Sequence, residues 1–186
     1  LLPNYLVSKK LKIPLVYDSH EIFTEMPSVN GRFTQNIWRS LESFIAPKLK
    51  FMITASESYA DWFHKTYGIE RPVVVQNFPL KSGNPQDYSI VNSPKVIIYQ
   101  GVINPSRGLD KLILEMHKIE NAELWIAGDG PKKKEFQELT KDLGLHDKVK
   151  FIGKILPEKL REITQKADLG VSIEENNGLS YYFSMP

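Results

Sequence analysis

Cysteine is absent from this chain. That excludes a disulfide framework, a thiolate nucleophile and a cysteine-ligated zinc site, and it suits the cytosol. Long apolar runs are absent too: nothing approaches the length that spans a bilayer, and no signal-peptide pattern precedes the first apolar segment. Neither sign of charge dominates. With 24 Lys and Arg against 22 Asp and Glu, the net charge is +2, too even for a dedicated nucleic-acid binder, whose cations would crowd one face. The small excess lies in the first 80 residues. Attachment to the inner face of a membrane through basic and aromatic side chains therefore stays open for an otherwise soluble, cytoplasmic chain. His20-Glu21 is not followed by a second histidine at helical spacing, so no metal site is read. No serine sits in a nucleophile-elbow context, and no short-period repeat or low-complexity tract occurs.

What is present is β-α alternation. At 186 residues, 41% of them hydrophobic, the chain can bury the core of one large or two small domains. Ile13 to Tyr17 reads as a strand ending in Asp18, Ser19, His20 and Glu21. A helix over 34–46 carries Ile37, Trp38, Leu41, Phe44 and Ile45 on one face and stops at Pro47. Phe51 to Thr54 is the next strand, Ser56 caps a helix that ends at Gly68, and Val73 to Val75 makes a third strand. After residue 95 the same alternation resumes, with strands at 96–100, 123–127, 149–152 and 169–173. Helices at 107–118, 131–143 and 157–167 separate them. The Pro-, Gly- and Ser-bearing stretch at 80–95 reads as a linker. The fold class is α/β: two Rossmann-like parallel-sheet units facing a cleft, at 1–79 and 96–186, with ligands expected at the carboxyl ends of the strands. Both units read as incomplete. The opening residues resemble the tail of a helix, and Pro186 arrives where a covering helix is still due.

The stretch YQGVINPSRGL, Tyr99 to Leu109, runs a buried strand through Gly101 into an amphipathic helix that should begin near Ser106, with Arg107 and Gly108 in its first turn. Free amides, the positive end of the dipole and a guanidinium there would suit a diphosphate; the bland alternative is a capped helix beside a solvated arginine. Gly128-Asp129-Gly130-Pro131 follows a strand and opens a helix, a weak nucleotide fingerprint that equally describes a tight turn. Lys132, Lys133 and Lys134 oppose the dipole of that helix and read as a solvated face. Gly153-Lys154-Ile155 offers backbone groups at the same strand ends. His20 is either an acid/base or hydrogen-bonding group oriented by Asp18 or Glu21, or a loop histidine satisfied by the backbone. Glu174 and Glu175, ahead of Gly178, Leu179 and Ser180, could hold sugar hydroxyls or simply face solvent.

Taken in order, YDSHE, TASE before a helix, VVVQNFP, YQG with SRGL, LWIAGDGP, VKFIGKI and ADLGVSIEENNGLSYYFSMP resemble the retaining nucleotide-sugar glycosyltransferases of family 4 (group 1), of GT-B fold. The resemblance covers nearly the whole chain. It implies an acceptor-side domain ending at 79, a donor-side domain from 96, and a hexosyltransferase-type reaction. A sugar would pass with retention from a nucleoside diphosphate sugar to a saccharide or lipid-linked hydroxyl acceptor, in polysaccharide or glycolipid synthesis, with no tightly bound metal and no nucleic-acid partner. His20 would approach the donor sugar. Arg107, with Gly108 beside it, would neutralise the diphosphate above the Gly101 loop, and the Gly128–Gly130 turn would adjoin the donor. Ile155 would meet the nucleobase through its backbone, Glu175 or neighbouring Glu174 would hold sugar hydroxyls, and Gly178, Leu179 and Ser180 would offer amides to the diphosphate. The chain departs from the family pattern in three ways. Val102 stands where many relatives carry a second arginine, and Phe183 stands where a second spaced glutamate is usual. The first half of the acceptor-side domain is missing, so this stretch alone is not expected to turn over. Alternatives are a GT-B-fold epimerase and a non-catalytic nucleotide- or sugar-binding module; the oligomeric state is not legible.

Overall fold

The computed structural model describes residues 1–78 and 93–183, so the expected linker lies outside the described residues over 80–92. The chain packs as two units, Leu1–Leu80 together with Asn176–Pro186, and Lys81–Glu175.

In the first unit three parallel strands, β1 (Val16–Ser19), β2 (Phe51–Thr54) and β3 (Val73–Val74), lie in that order. Helices α1 (Leu2–Leu11), α2 (Phe33–Ile45) and α3 (Glu57–Tyr67) belong to the same unit. β1 starts three residues later than the apolar run suggests. Ile13 still belongs to the end of α1: its N–H donates to the Ser8 carbonyl at 3.1 Å and its own carbonyl accepts from Ser8 Oγ at 2.6 Å. Pro14 then has no N–H to offer a ladder. α3 forms as expected, with Ser56 Oγ accepting from the Tyr59 N–H at 3.2 Å and Gly68 closing the helix at φ 62°.

α2 departs from its pattern. Of the expected inward face only Ile45 is buried; Ile37, Trp38 and Phe44 are exposed, and Gln35 and Glu42 are buried instead. They are tolerated because they are satisfied. Gln35 donates to the Thr24 carbonyl at 2.8 Å and accepts from the Gly31 N–H at 3.0 Å. Glu42 accepts from Tyr67 Oη at 2.6 Å and Thr24 Oγ1 at 3.2 Å. Burial raises the Glu42 carboxyl above its ordinary pKa, a shift that the hydrogen bonds from Tyr67 and Thr24 partly offset.

In the second unit four parallel strands, β4 (Lys95–Gln100), β5 (Ala122–Ala127), β6 (Val149–Gly153) and β7 (Leu169–Val171), lie in the order β6-β5-β4-β7. β4 is covered on both faces as its sequence implies, with Val96 to Tyr99 all buried. Helices α4 (Leu109–Glu115), α5 (Lys133–Asp142) and α6 (Pro157–Thr164) alternate with the strands. A short helix α7 (Leu179–Tyr182) follows β7 in the chain, yet residues from Asn176 onward pack with the first unit rather than staying with 96–175. The reason is specific. Tyr59 Oη donates to the Ser180 carbonyl at 2.8 Å, and Gly178 lies so near the Glu25 carbonyl that a Cβ there would sit 2.6 Å from its oxygen.

Candidate functional site

Because the four strands of the second sheet are parallel, the loops after β4, β5, β6 and β7 all open on one edge. Register brings these loops together: Gln100 lies opposite Ala127, Ala127 opposite Gly153, and Tyr99 opposite Val171. Tyr99 Oη donates to the Val102 carbonyl at 2.9 Å and shapes the turn after β4. The Ile103 N–H donates to the Asp129 carbonyl at 2.9 Å, and the Lys132 N–H to the Ile103 carbonyl at 3.1 Å, locking this turn to the one after β5. The glycines of Gly128-Asp129-Gly130 are explained by that lock. A Cβ on Gly128 would overlap the Gly101 carbonyl, and one on Gly130 would come within 2.5 Å of the Ile103 carbonyl. The interlocked turns leave a 470 Å³ cavity lined by Gly101, Val102, Gly128, Lys154, Ile155 and Leu160, among others. Of the expected site residues, Gly101, Gly128 and Ile155 are thus brought to one hollow, whereas Gly130 packs against the Ile103 backbone.

A charged cluster forms between the loops after β4 and β7. The helix expected from Ser106 begins at Leu109 with Gly108 as its N-cap, so Ser106, Arg107 and Gly108 form the preceding turn. Ser106 and Gly108 both adopt left-handed backbone at φ 64°. For Ser106 that conformation costs about 1 kcal/mol, and such strain gathers where a loop is held for a purpose. For Gly108 it accompanies close packing, since a Cβ would lie 2.6 Å from the Ile173 carbonyl. The Glu175 N–H donates to the Ser106 carbonyl at 3.0 Å, joining the two loops. Their side chains pair accordingly: Arg107 forms an ion pair with Glu174, and Lys111 Nζ lies 2.5 Å from Glu175 Oε1. The two pairs differ in depth. The Arg107 and Glu174 side chains are 29% and 16% exposed, whereas Lys111 is 66% exposed. Its hydrogen bond to Glu175 raises the Lys111 pKa.

The lysine run after Gly130 behaves as a surface. α5 begins at Lys133, not at Pro131; Lys132 pairs with Glu135 and Lys133 with Asp129.

The remaining expected residues belong to the first unit. His20 follows β1, with its side chain 60% exposed, and its Nε2 lies 3.2 Å from Asp18 Oδ2. Of the two carboxylates weighed as orienting groups, Asp18 is the one in contact. Gly178 is the N-cap of α7, Leu179 its first residue, and Ser180 is buried. Two residues the sequence did not single out belong beside these. Lys111, the partner of Glu175, lies in the first turn of α4, four residues after Arg107. Tyr59, which anchors Ser180, carried no signal, because its partner is 121 residues away. Among the described residues there is no grouping of three or more His, Asp or Glu that could hold a metal ion, and no helix is long and apolar enough to cross a membrane.

Comparison with known proteins bears on this arrangement. The family model described as glycosyl transferases group 1 matches residues 81–180, more than half of the chain. Among curated proteins, the lipopolysaccharide core biosynthesis glycosyltransferase LpsD of Rhizobium meliloti is 38% identical over 58 residues, which cover 31% of this chain and 17% of LpsD. Among solved structures, that of Anabaena HepE in complex with UDP-glucose aligns over 93% of this chain and 50% of its own, with a TM-score of 0.69 at 18% identity. Staphylococcus aureus TarM, in a complex that contains UDP, aligns over 86% of this chain and 32% of its own, with a TM-score of 0.66 at 17% identity. The chain therefore matches half or less of the length of each.

Proposed function

The chain belongs to the glycosyl transferases group 1 family and has the GT-B fold. From that premise we propose that the protein moves a sugar, with retention, from a nucleoside diphosphate sugar to a saccharide or lipid-linked hydroxyl acceptor, at the cytoplasmic side of the cell. The observation that carries the reading is the turn Ser106-Arg107-Gly108, clasped against Ile173–Glu175 on the same sheet edge as the cavity of Gly101, Gly128 and Ile155. A flat base suits the cavity, and a diphosphate leading from it would reach a guanidinium. HepE and TarM bind UDP-glucose and UDP in their complexes, which favours a uridine donor. LpsD's name favours a cell-surface polysaccharide or glycolipid as product.

Chemically, the demand is to stabilise charge on the departing diphosphate, and Arg107 is placed to do so. The Glu174 carboxylate now neutralises that arginine; the donor's diphosphate would exchange for it. Glu175 is the better candidate to turn to a sugar hydroxyl, since its partner is an exposed lysine and such pairs are worth little. His20, oriented by Asp18, would present an imidazole nitrogen to the sugar. No protein nucleophile is needed. In the full-length protein, Arg107→Ala should lower the transfer rate by about a hundredfold, with donor affinity measured alongside by calorimetry. An unchanged rate would remove the assignment. Conversion of donor in the absence of acceptor would point to epimerisation, and donor binding without turnover to a binding module.

A further inference from the structure

β4 ends on a polar side chain for which the transfer chemistry has no use. Alternation along the strand puts Gln100 on the same sheet face as Val96 and Ile98, and it is half-buried where they are buried. Its Nε2 donates to Thr164 Oγ1 on α6, and Thr164 Oγ1 in turn donates to the Leu160 carbonyl at 2.8 Å. The second bond decides the sense of the first. A hydroxyl has one proton, and Thr164 gives it to the helix, so toward Gln100 it can only accept. The amide is therefore held with its nitrogen toward α6, and its oxygen Oε1, an acceptor, is the end that Gln100 has left for a ligand. Gln100 and Leu160 both line the 470 Å³ cavity that Ile155 also borders. Leu160 lies one helical turn before Thr164, so a side chain that reaches Thr164 runs along the wall that Leu160 forms.

Resting on the donor reading of this cavity, we propose that Gln100, locked by Thr164, selects the donor's base by accepting a ring N–H, so that uracil is admitted and cytosine refused. The two bases are alike in size and flatness, and apolar contact with Val102 or Leu160 does not separate them. They differ in that uracil carries a hydrogen on N3 where cytosine has a lone pair. Against Oε1 the first makes a hydrogen bond, whereas the second sets two acceptors face to face and leaves both without a partner. An untethered glutamine would turn its amide over and serve either base. Thr164 takes that freedom away, which makes it a positioning residue for Gln100.

The test is calorimetry of UDP and of CDP with the full-length protein, read as the ratio of their Kd values, in which the shared diphosphate cancels. The parent should bind UDP about tenfold more tightly than CDP. Gln100→Leu should remove most of that preference by weakening UDP. Thr164→Val, which takes away only the hydroxyl, should close the gap from the other side: CDP tightens severalfold while UDP holds. A tie that merely joins α6 to the sheet would instead weaken both nucleotides alike and leave the ratio unchanged. Circular dichroism confirms that the variants are folded, and the parent's ratio needs no variant at all. Equal binding of UDP and CDP by the parent overturns the proposal and leaves the donor reading intact, as does a preference that survives Gln100→Leu or a CDP affinity that Thr164→Val does not move. Failure of the parent to bind either nucleotide would remove the donor reading itself, and the proposal with it.

Discussion

In the second unit twelve residues form one buried apolar cluster, from Ile97 on β4 to Val149 on β6, and the strand-end loops are spliced by backbone hydrogen bonds above it. Among the described residues, the first unit's cluster has four buried members, Ile22, Met52, Tyr59 and Phe63. Beside it, Thr24, Glu25, Gln35 and Glu42 are buried as well, and Arg39 makes two hydrogen bonds to Glu25, at 2.8 and 2.9 Å. The same β-α alternation is thus stabilised in two ways. Where apolar burial is ample, packing sets stability and leaves the loops free to specialise. Where it is thin, a directional network fixes the loop at 22–25, against which the Gly178 turn is seated, at the risk that one lost partner strands the others.

The contrast can be broken hardest in the second unit. Leu124→Ala, at a fully buried position, should cost about 3 kcal/mol, read by native-state hydrogen exchange as lost protection in β4, β5 and β6 while α3 keeps its own. A uniform loss across both units would show that they unfold together. Next comes Arg39→Met. It leaves the buried Glu25 carboxylate without its guanidinium, and because Arg39 is itself half-exposed the cost should fall to about 2 kcal/mol, confined to the first unit. Stability kept at the parent level would mean that the pair is ornamental.

Tyr59→Phe removes a single hydroxyl and should cost about 1 kcal/mol. The informative readout is limited proteolysis, which should open at 176–183 before any other site. If the donor assignment of Gly178–Ser180 holds, the donor KM should rise with kcat nearly unchanged. Smallest is a change of slope. The Glu42 carboxyl is pushed above its ordinary 4.5 by burial, so the native state holds a proton that the unfolded chain releases. Stability therefore falls as pH rises from about 4.5 toward the raised folded value, then levels off. Glu42→Gln should flatten that segment of a urea-midpoint profile, and an unaltered profile would mean that Glu42 does not titrate in the fold.

Much of the architecture was legible in the order of residues, because it depends on near neighbours. The Ser56 cap and Gly68 stop, the doubly covered β4 and the alternation of strands with helices are set by spacings of two to four residues. The motif order was enough to point to the family that the comparisons then showed. The inward face of α2 was not legible. Apolar periodicity marks what could be buried, and Gln35 and Glu42 displaced Ile37 and Phe44 only because Thr24, Gly31 and Tyr67, from elsewhere in the chain, satisfy them. The helix at Arg107 starts late for a related reason: left-handed Ser106 and Gly108 are dictated by the loop pressed against them.

The candidate site divides in the same way. Arg107 and the two glutamates stand out as residue types at strand ends, and local pattern places each of them there. Which acid meets which cation is set at longer range. β7 pairs beside β4 with Tyr99 opposite Val171, and that register, joining segments some seventy positions apart, lays Glu174 against Arg107 and Glu175 against Lys111. Coulombic partners follow from distance in space, and distance in space is set only once the strands have chosen their neighbours.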